Sequence, residues 1–186
     1  MSLTPTRDRQ FKTVLIGDTA VGKTSIRRNF MGQSFTSSHI ATLGVDFAQK
    51  LVAHENADIR LVIWDLAGEH SYENVRRGYY SGAHGIIFVY SVIDKKTFDN
   101  SQLWFIELKK YIRDLPPVAI IGNKVDLRSS ADPSLVVTTK EGKKFAQRFS
   151  EKMKVPVSFW ETSAKTGENI DNLFEELITN MILVNP

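Results

Sequence analysis

The fold of this chain is decided by eight residues, Gly17-Asp18-Thr19-Ala20-Val21-Gly22-Lys23-Thr24. They fit the pattern G-x-x-x-x-G-K-[ST] and lie between a predicted strand, Lys12–Asp18, and a predicted helix, Gly22–Phe30. A glycine at each end lets the backbone wrap around an anion, and the helix N-terminus adds partial positive charge there. An accidental glycine-rich turn is the alternative, but the strand–helix setting favours a site for nucleotide phosphates. Lys23 is then expected to reach the β- and γ-phosphates, and Thr24 to place its hydroxyl on Mg²⁺.

A second motif follows the predicted strand Asp58–Asp65, which is continued by Leu66-Ala67-Gly68-Glu69. An aspartate at the end of an apolar strand is where a protein with such a phosphate loop holds Mg²⁺ through water. Gly68 has no side chain, so its N–H can approach a terminal phosphate closely. For a lone aspartate a helix cap or a turn is the alternative. Beside the phosphate loop, Asp65 is predicted to serve Mg²⁺.

Two further segments predict which base is bound. Asn123-Lys124-Val125-Asp126 ends the predicted strand Val118–Asn123, and Ser163-Ala164-Lys165 follows the predicted strand Val157–Glu161. A carboxylate placed there accepts two hydrogen bonds from the N1–H and N2–H₂ edge of guanine, a donor pair that adenine lacks. The lysine stems can lie along the base plane while their ammonium groups stay in water. Taken singly, each segment would be a surface turn.

The rest of the chain alternates strands with helices, which predicts a doubly wound α/β domain. The predicted strands are Lys12–Asp18, Val45–His54, Asp58–Asp65, Gly85–Ser91, Val118–Asn123 and Val157–Glu161. The predicted helices are Gly22–Phe30, Thr97–Leu115, Thr139–Lys152 and Asn169–Leu183. Continuous apolar runs indicate parallel strands covered on both faces, whereas the short link after His54 predicts a hairpin and one antiparallel strand. We therefore expect a flexible leader over 1–10, one domain over 11–183 with a six-stranded sheet between helices, and a short end over 184–186.

Composition excludes several classes of protein. The 186 residues contain no cysteine, which excludes disulfides, cysteine-ligated metals, a thiol nucleophile and a lipid anchor on a cysteine of this chain. The formal charge of +3 is too small and dispersed for nucleic-acid binding. Apolar runs are too short to span a bilayer, and the polar N-terminus does not resemble a signal peptide. We expect a cytoplasmic protein, with peripheral contact to membranes as the open alternative.

Together, these motifs resemble the Ras superfamily of small GTPases, most closely its Rab branch, over about residues 10–183. The family fold is a G domain built around the phosphate loop. The resemblance implies that Thr42 coordinates Mg²⁺ and senses the γ-phosphate, and that Phe35 packs against guanine. It also implies that Phe47, Trp64 and Tyr79 meet effector proteins, although these rings could instead be core. A monomer served by effectors, an exchange factor and a GTPase-activating protein is expected.

The resemblance also assigns the site residue by residue. Contacts to GTP or GDP are expected from Asp18, Thr19, Ala20, Val21, Gly22, Lys23, Thr24, Ser25, Phe35, Thr42, Gly68, Asn123, Lys124, Asp126, Ser163, Ala164 and Lys165. Mg²⁺ is expected at Thr24, Thr42 and Asp65. The catalytic positions are Lys23, Thr42, Gly68 and Glu69.

Glu69 departs from the family, where a glutamine orients the attacking water. A carboxylate can still accept a hydrogen bond from water, but a like charge roughly 4 Å from the γ-phosphate costs about 4 kcal/mol at an effective dielectric constant near 20. The sequence therefore leaves open whether Glu69 speeds or slows hydrolysis. There is also no arginine between Asn29 and Leu51 to act on the γ-phosphate in cis. Slow turnover, assisted by an arginine from an activating protein, is expected.

The C-terminus lacks the prenylated tail of Rab proteins, so either a tail has been removed or the protein works without an anchor. A role in vesicle traffic rests on the resemblance alone. Two other functions stay open. One is a GTP-binding scaffold in which Glu69 has abolished hydrolysis. The other is a P-loop nucleoside or metabolite kinase, which usually needs a lid with arginines, and the loop Arg128–Thr138 has only Arg128.

Overall fold

A computed structural model describes residues 9–36, 42–54 and 57–185, and its centre is a six-stranded sheet in the order β2-β3-β1-β4-β5-β6. The strands are β1 Arg9–Ile16, β2 Val45–His54, β3 Ala57–Leu66, β4 Gly85–Ser91, β5 Val118–Asn123 and β6 Val157–Thr162. The helices are α1 Lys23–Phe30, α2 Glu73–Tyr80, α3 Lys95–Asp99, α4 Ser101–Tyr111, α5 Thr139–Met153 and α6 Ile170–Val184, with 3₁₀ turns at His70–Tyr72 and Val125–Ser130.

The pairing of the strands confirms the predicted sheet. β1, β3, β4, β5 and β6 are parallel, whereas β2 pairs with β3 in antiparallel register from Val45 opposite Leu66 to His54 opposite Ala57. Since the parallel strands point the same way, the residues after Ile16, Leu66, Asn123 and Thr162 meet at one edge of the sheet. That edge brings the four sequence motifs together.

Each face of the sheet packs against its own core. On one face, Ile26 and Phe30 of α1 meet Leu173 and Phe174 of α6. On the other face, α2, α4 and α5 supply buried aromatic residues, among them Tyr80, Trp104 and Phe149. Helices therefore cover both faces, as the continuous apolar strands predict. Within the described ranges, no helix is both long and apolar enough to cross a lipid bilayer.

The helix predicted over Thr97–Leu115 was wrong in its extent, because the structure has two helices, α3 and α4, that meet at Asn100. The Asn100 amide donates to Asp18 Oδ2 at 2.6 Å, which anchors the junction to the phosphate loop. α4 ends at Tyr111, and Ile112 is already extended with φ −119° and ψ 115°. Pro116 disfavours helix only for the residue before it, so the chain leaves the helix earlier than the prolines require.

Other boundaries also differ. α2 was not predicted, because it places only Arg76 and Tyr80 in the interior and has no apolar stripe. β1 begins at Arg9, so Arg9 and Gln10 belong to the sheet and not to the leader; residues 1–8 lie outside the described residues. The strand ends at Ile16 because Gly17 adopts φ 137°, which is not a strand conformation.

Candidate nucleotide site

The phosphate loop is shaped by two glycines that no other residue could replace. A Cβ on Gly17 would lie 2.1 Å from the Val89 carbonyl oxygen, and one on Gly22 would lie 2.2 Å from Asn123 Nδ2. Both glycines have positive φ, and so does Ala20 with φ 64°, a conformation that costs a residue with a side chain roughly 1 kcal/mol or more. The close approaches hold the loop against β4 and β5 and curl it into a concave turn.

Lys23 begins α1 and folds back across this loop. Its Nζ donates to the carbonyl oxygens of Gly17 and Asp18, each at 2.8 Å, and only 6% of the residue is exposed. Burial lowers the pKa of the Lys23 ammonium to about 8. Because its hydrogen-bond partners are neutral carbonyls, a phosphate beside Lys23 would supply the negative charge that the buried ammonium lacks.

The three residues predicted to serve Mg²⁺ bring oxygen atoms from separate parts of the chain close to one another. Thr24 Oγ1 donates to Asp65 Oδ2 at 2.5 Å and lies 3.0 Å from Thr42 Oγ1. Asp65 is fully buried, and burial raises the pKa of its carboxyl group, against the lowering effect of the Thr24 hydrogen bond. Its Oδ1 has no hydrogen-bond partner within the described ranges. Asp65 thus has one carboxylate oxygen bonded to Thr24 and one without a partner in the described ranges, and with the Thr24 and Thr42 hydroxyls this set fits a hard cation that prefers oxygen ligands.

Gly68 and Glu69 close the phosphate end of the site. A Cβ on Gly68 would lie 2.5 Å from Asp18 C and from Thr19 N, so the glycine backbone rests directly on the phosphate loop. Glu69 is exposed at the mouth of a cleft of about 420 Å³ that Thr19, Lys23, Thr24 and Thr42 also line. The Glu69 side chain has a long contact of 3.5 Å with the Ser71 hydroxyl and is exposed.

A second cleft of about 670 Å³ continues the first toward the base-reading motifs. The two clefts form one groove, because both are lined by Ala20, Gly22, Ser25 and Phe35. The second cleft is lined further by Asn123, Lys124, Asp126, Ala164 and Lys165. Phe35 is 44% exposed, so its ring faces open space rather than the core. The groove thus joins the predicted phosphate, magnesium and base positions.

Four of the predicted contact residues turn their side chains away from this groove or use them within the protein. Asp18 accepts hydrogen bonds from Asn100 Nδ2 at 2.6 Å and from Trp104 Nε1 at 2.7 Å, and Val21 is fully buried in the core. Asn123 donates to the Val21 carbonyl oxygen at 2.9 Å and accepts from Thr162 and Ala164, each at 3.1 Å. Ser163 donates to Asp126 Oδ1 at 2.7 Å. Asn123 and Ser163 therefore brace the loops around Asp126, and Asp18 and Val21 leave mainly their backbone for a ligand.

Sequence reasoning missed a set of charged and polar side chains behind the loops. Arg128 forms a two-pronged ion pair with Glu161, with nitrogen–oxygen distances of 3.0 and 2.5 Å, and thereby joins the two base-reading segments. Arg76 forms a buried pair with Glu107 behind Gly68. These partners are 33 and 31 residues apart, so no local pattern in the sequence connects them. Arg28, one residue before Asn29, also lines the phosphate cleft.

The three predicted effector aromatics form one stack on the surface. Ring centroids lie 5.1 Å apart for Phe47 and Trp64 and 5.0 Å apart for Trp64 and Tyr79. Phe47 is 58% exposed, whereas Trp64 and Tyr79 are half-buried and pack against the core with their inner edges. The stack spans β2, β3 and α2, so it borders both segments that face the γ-phosphate position.

Comparison with known proteins agrees with this geometry. The model of the Ras family matches residues 12–183, nearly all of the chain. The chain belongs to the Ras family. It is 39% identical over 172 residues to the GTP-binding protein YPTM2 of Zea mays and 38% identical to the Ras-related protein RABD2c of Arabidopsis thaliana, covering 92% of this chain and 80% of each relative. The Ras-related protein Rab-1D of Dictyostelium discoideum is 37% identical over 94% of this chain and 80% of that relative.

These matches confirm the resemblance seen in the sequence. As a member of the Ras family, this chain is a small GTPase, a Rab-like switch that binds guanine nucleotide and hydrolyses GTP. Proteins of this family act through effectors, activating proteins and exchange factors, and the Rab names are consistent with vesicle traffic. The matches give no support to a fixed GTP-binding scaffold or to a kinase.

Proposed function

We propose that the groove holds GTP with its phosphates on Gly17–Ser25 and its guanine between Phe35, Lys124 and Lys165, read by Asp126. The observation that supports this most directly is the continuity of the groove from the Thr24–Asp65–Thr42 cluster to Asp126. One oxygen of Asp126 accepts from Ser163, which holds the carboxylate in place for the N1–H and N2–H₂ groups of guanine. Adenine would leave this half-buried charge unpaired.

Thr24, Thr42 and Asp65 would hold Mg²⁺, which neutralises charge on the β- and γ-phosphates when bound. Lys23 and the amides of the phosphate loop stabilise the charge that develops as water attacks the γ-phosphorus in line. The N–H of Gly68 donates to the γ-phosphate, and Thr42 also contacts that phosphate, so the segment that contains Thr42 senses it. These contacts disappear with hydrolysis, so the segments around Thr42 and Gly68 change state with the nucleotide.

Glu69 takes the place of the water-orienting glutamine. It lies at the mouth of the phosphate cleft, and its carboxylate can accept a hydrogen bond from the attacking water. Its charge opposes this benefit by repelling the γ-phosphate. We therefore propose a slow intrinsic reaction that an activating protein accelerates by supplying a guanidinium in trans. The exposed stack of Phe47, Trp64 and Tyr79 is the surface proposed for effectors, on a monomeric cytoplasmic protein that meets membranes peripherally.

Single-turnover hydrolysis of bound GTP with Mg²⁺ tests this assignment, with the wild type compared with Glu69→Gln. We expect a measurable wild-type rate near the ~10⁻⁴ s⁻¹ of unassisted relatives or above it, and a changed rate in the variant. No wild-type turnover together with restored turnover in Glu69→Gln would instead make the protein a fixed GTP binder. Arg28→Gln is the companion variant, because an equal rate would exclude a contribution from the Arg28 guanidinium, which lines the phosphate cleft.

A further inference from the structure

One tryptophan of α4 contacts the structures behind both loops that face the γ-phosphate position. Trp104 is fully buried, and its Nε1 donates to Asp18 Oδ1 of the phosphate loop at 2.7 Å. The guanidinium of Arg76 lies over the same ring, 4.6 Å from its centroid. Trp104 therefore stands between a carboxylate of the phosphate loop and a cation of α2, and its position fixes the distance between them.

Arg76 forms hydrogen bonds with the backbone on both sides of Gly68. Its Nη1 donates to the carbonyl oxygen of Ala67 at 2.9 Å and to that of Glu69 at 2.5 Å. Its Nε and Nη2 donate to the two carboxylate oxygens of Glu107 at 2.8 and 2.7 Å. Arg76 is fully buried, and the Tyr80 hydroxyl donates to the same Glu107 carboxylate. A buried guanidinium with this fork geometry has one orientation, because any other would leave charged groups unpaired.

These hydrogen bonds affect the site because Gly68 has no room to move toward the phosphate loop. Its backbone already lies so close to Asp18 and Thr19 that a Cβ would overlap them at 2.5 Å. The hydrogen bonds from Arg76 to the carbonyl groups of Ala67 and Glu69 therefore determine the positions of the Gly68 N–H and of the first atoms of the Glu69 side chain. In a reaction that depends on placement, a displacement of about 1 Å can cost on the order of 10² in rate.

We propose that Arg76, held by Glu107 and Trp104, is a positioning residue for the γ-phosphate end of the site. It fixes the Ala67–Glu69 backbone so that the Gly68 N–H meets the γ-phosphate and Glu69 meets the attacking water. Both parts rest on the proposed function, which places the γ-phosphate at the Gly68 N–H and the attacking water at Glu69. An arginine with a merely structural role would affect GDP and GTP alike, whereas a positioning residue acts only where the γ-phosphate is present.

The test compares Arg76→Lys and Glu107→Gln with the wild type. Lysine keeps the charge but cannot hold two carbonyl groups and a carboxylate at once, and glutamine keeps the shape of the partner but not its charge. We expect the affinity for a non-hydrolysable GTP analogue, relative to that for GDP, to fall about tenfold in both variants. Single-turnover hydrolysis should fall at least as much, while GDP affinity and the preference for GTP over ATP stay within about twofold.

Glu73→Gln is the matched control, because Glu73 joins α2 to α4 at the surface through Lys110 at 2.8 Å and Tyr111 at 2.6 Å without holding the Gly68 backbone. It should leave the affinity ratio and the hydrolysis rate within about twofold of the wild type. If Arg76→Lys lowers GDP affinity as much as analogue affinity, or behaves like Glu73→Gln, the positioning role is wrong. If Arg76→Lys does not fold, Glu107→Gln decides by the same two readouts.

The wild type and Arg76→Lys both carry Glu69, so the difference in affinity ratio between them does not test the role of the Glu69 side chain, and the two proposals can fail separately. A reduced ratio in Arg76→Lys with unchanged hydrolysis in Glu69→Gln would overturn the role of Glu69 and keep that of Arg76. A normal ratio in Arg76→Lys with altered hydrolysis in Glu69→Gln would overturn the role of Arg76 and keep that of Glu69.

Discussion

The base end and the phosphate end of the groove differ in how the side chains proposed to meet the ligand are held. At the base end, Asn123 makes three hydrogen bonds within the protein, Ser163 holds Asp126, and Arg128 pairs with Glu161. At the phosphate end, Asp65 Oδ1 is buried without a hydrogen-bond partner in the described part of the chain, and Lys23 contacts only carbonyl groups of its own loop.

This difference assigns recognition of the base to the base end and sensing of the γ-phosphate to the phosphate end. A pre-formed base end loses little order on binding, so it can supply affinity and selectivity that do not depend on the number of phosphates. The phosphate end has a buried carboxylate oxygen, Asp65 Oδ1, and a buried ammonium, Lys23 Nζ, with which the proposed cation and phosphate would pair. Its conformation can therefore follow the presence of the γ-phosphate, which is what a switch requires.

The largest effect is expected at the base end. Asp126→Asn replaces one acceptor oxygen by an NH₂ donor, which opposes the donors of guanine. Affinity for GTP and GDP should fall by about 10³-fold or more, with a weakened preference over ATP, because a site built around a hydrogen-bonding edge discriminates strongly. Competition binding of GTP against ATP measures this. Unchanged selectivity would mean that Asp126 is not the base reader.

At the phosphate end, Gly68→Ala should act on GTP alone. The added Cβ would meet backbone atoms of Asp18 and Thr19 at 2.5 Å, and backbone cannot move aside as a flexible side chain can. The loop must then retreat from the γ-phosphate, and a loss of about 10² in GTP-analogue affinity is expected, with GDP affinity nearly unchanged. Titration of the variant and the wild type with GDP and with the GTP analogue measures the two affinities. Equal losses for the two would show that the clash disturbs the whole site.

Thr24→Asn tests the magnesium site at the phosphate end, because it removes the hydroxyl that joins Asp65 to Thr42. Magnesium-dependent GTP binding should weaken by between about 10- and 100-fold, and GDP binding by less. Nucleotide release should become almost insensitive to a chelator, whereas a chelator should accelerate release from the wild type. Retained sensitivity to the chelator in the variant would place the cation elsewhere.

The smallest effect is expected from the ion pair behind the base readers. Arg128→Gln removes a partly exposed pair, with side chains 29% and 18% exposed, so about 1 kcal/mol or a fivefold faster release of GDP is expected. Lys95→Gln, which breaks the more exposed pair with Glu141, is the control and should leave the release rate unchanged. Equal rates in both variants would show that Arg128 does not stabilise the base end.

The sequence predicted those parts of the molecule that local pattern determines. The eight residues of the phosphate loop, all six strands and many of the residues that line the groove follow from spacing, apolar runs and the resemblance to a family, whereas Arg28 does not. α2 was missed because Arg76, its principal buried residue, is a cation whose burial depends on Glu107 in another helix. The inward roles of Asp18 and Asn123 were missed for the same reason, since Trp104 and Val21 lie 86 and 102 residues away.

Amide hydrogen exchange of the protein with bound GDP and with a bound non-hydrolysable GTP analogue tests the contrast between the two ends most directly. If the phosphate end is completed by its ligand, exchange at residues 42–44 and 67–72 should slow markedly with the analogue, while residues 123–128 and 163–166 exchange equally in both states. Two results would contradict the division between the base end and the phosphate end. One is equal exchange at 42–44 and 67–72 in the two states, and the other is a change of similar size at the base-reading segments.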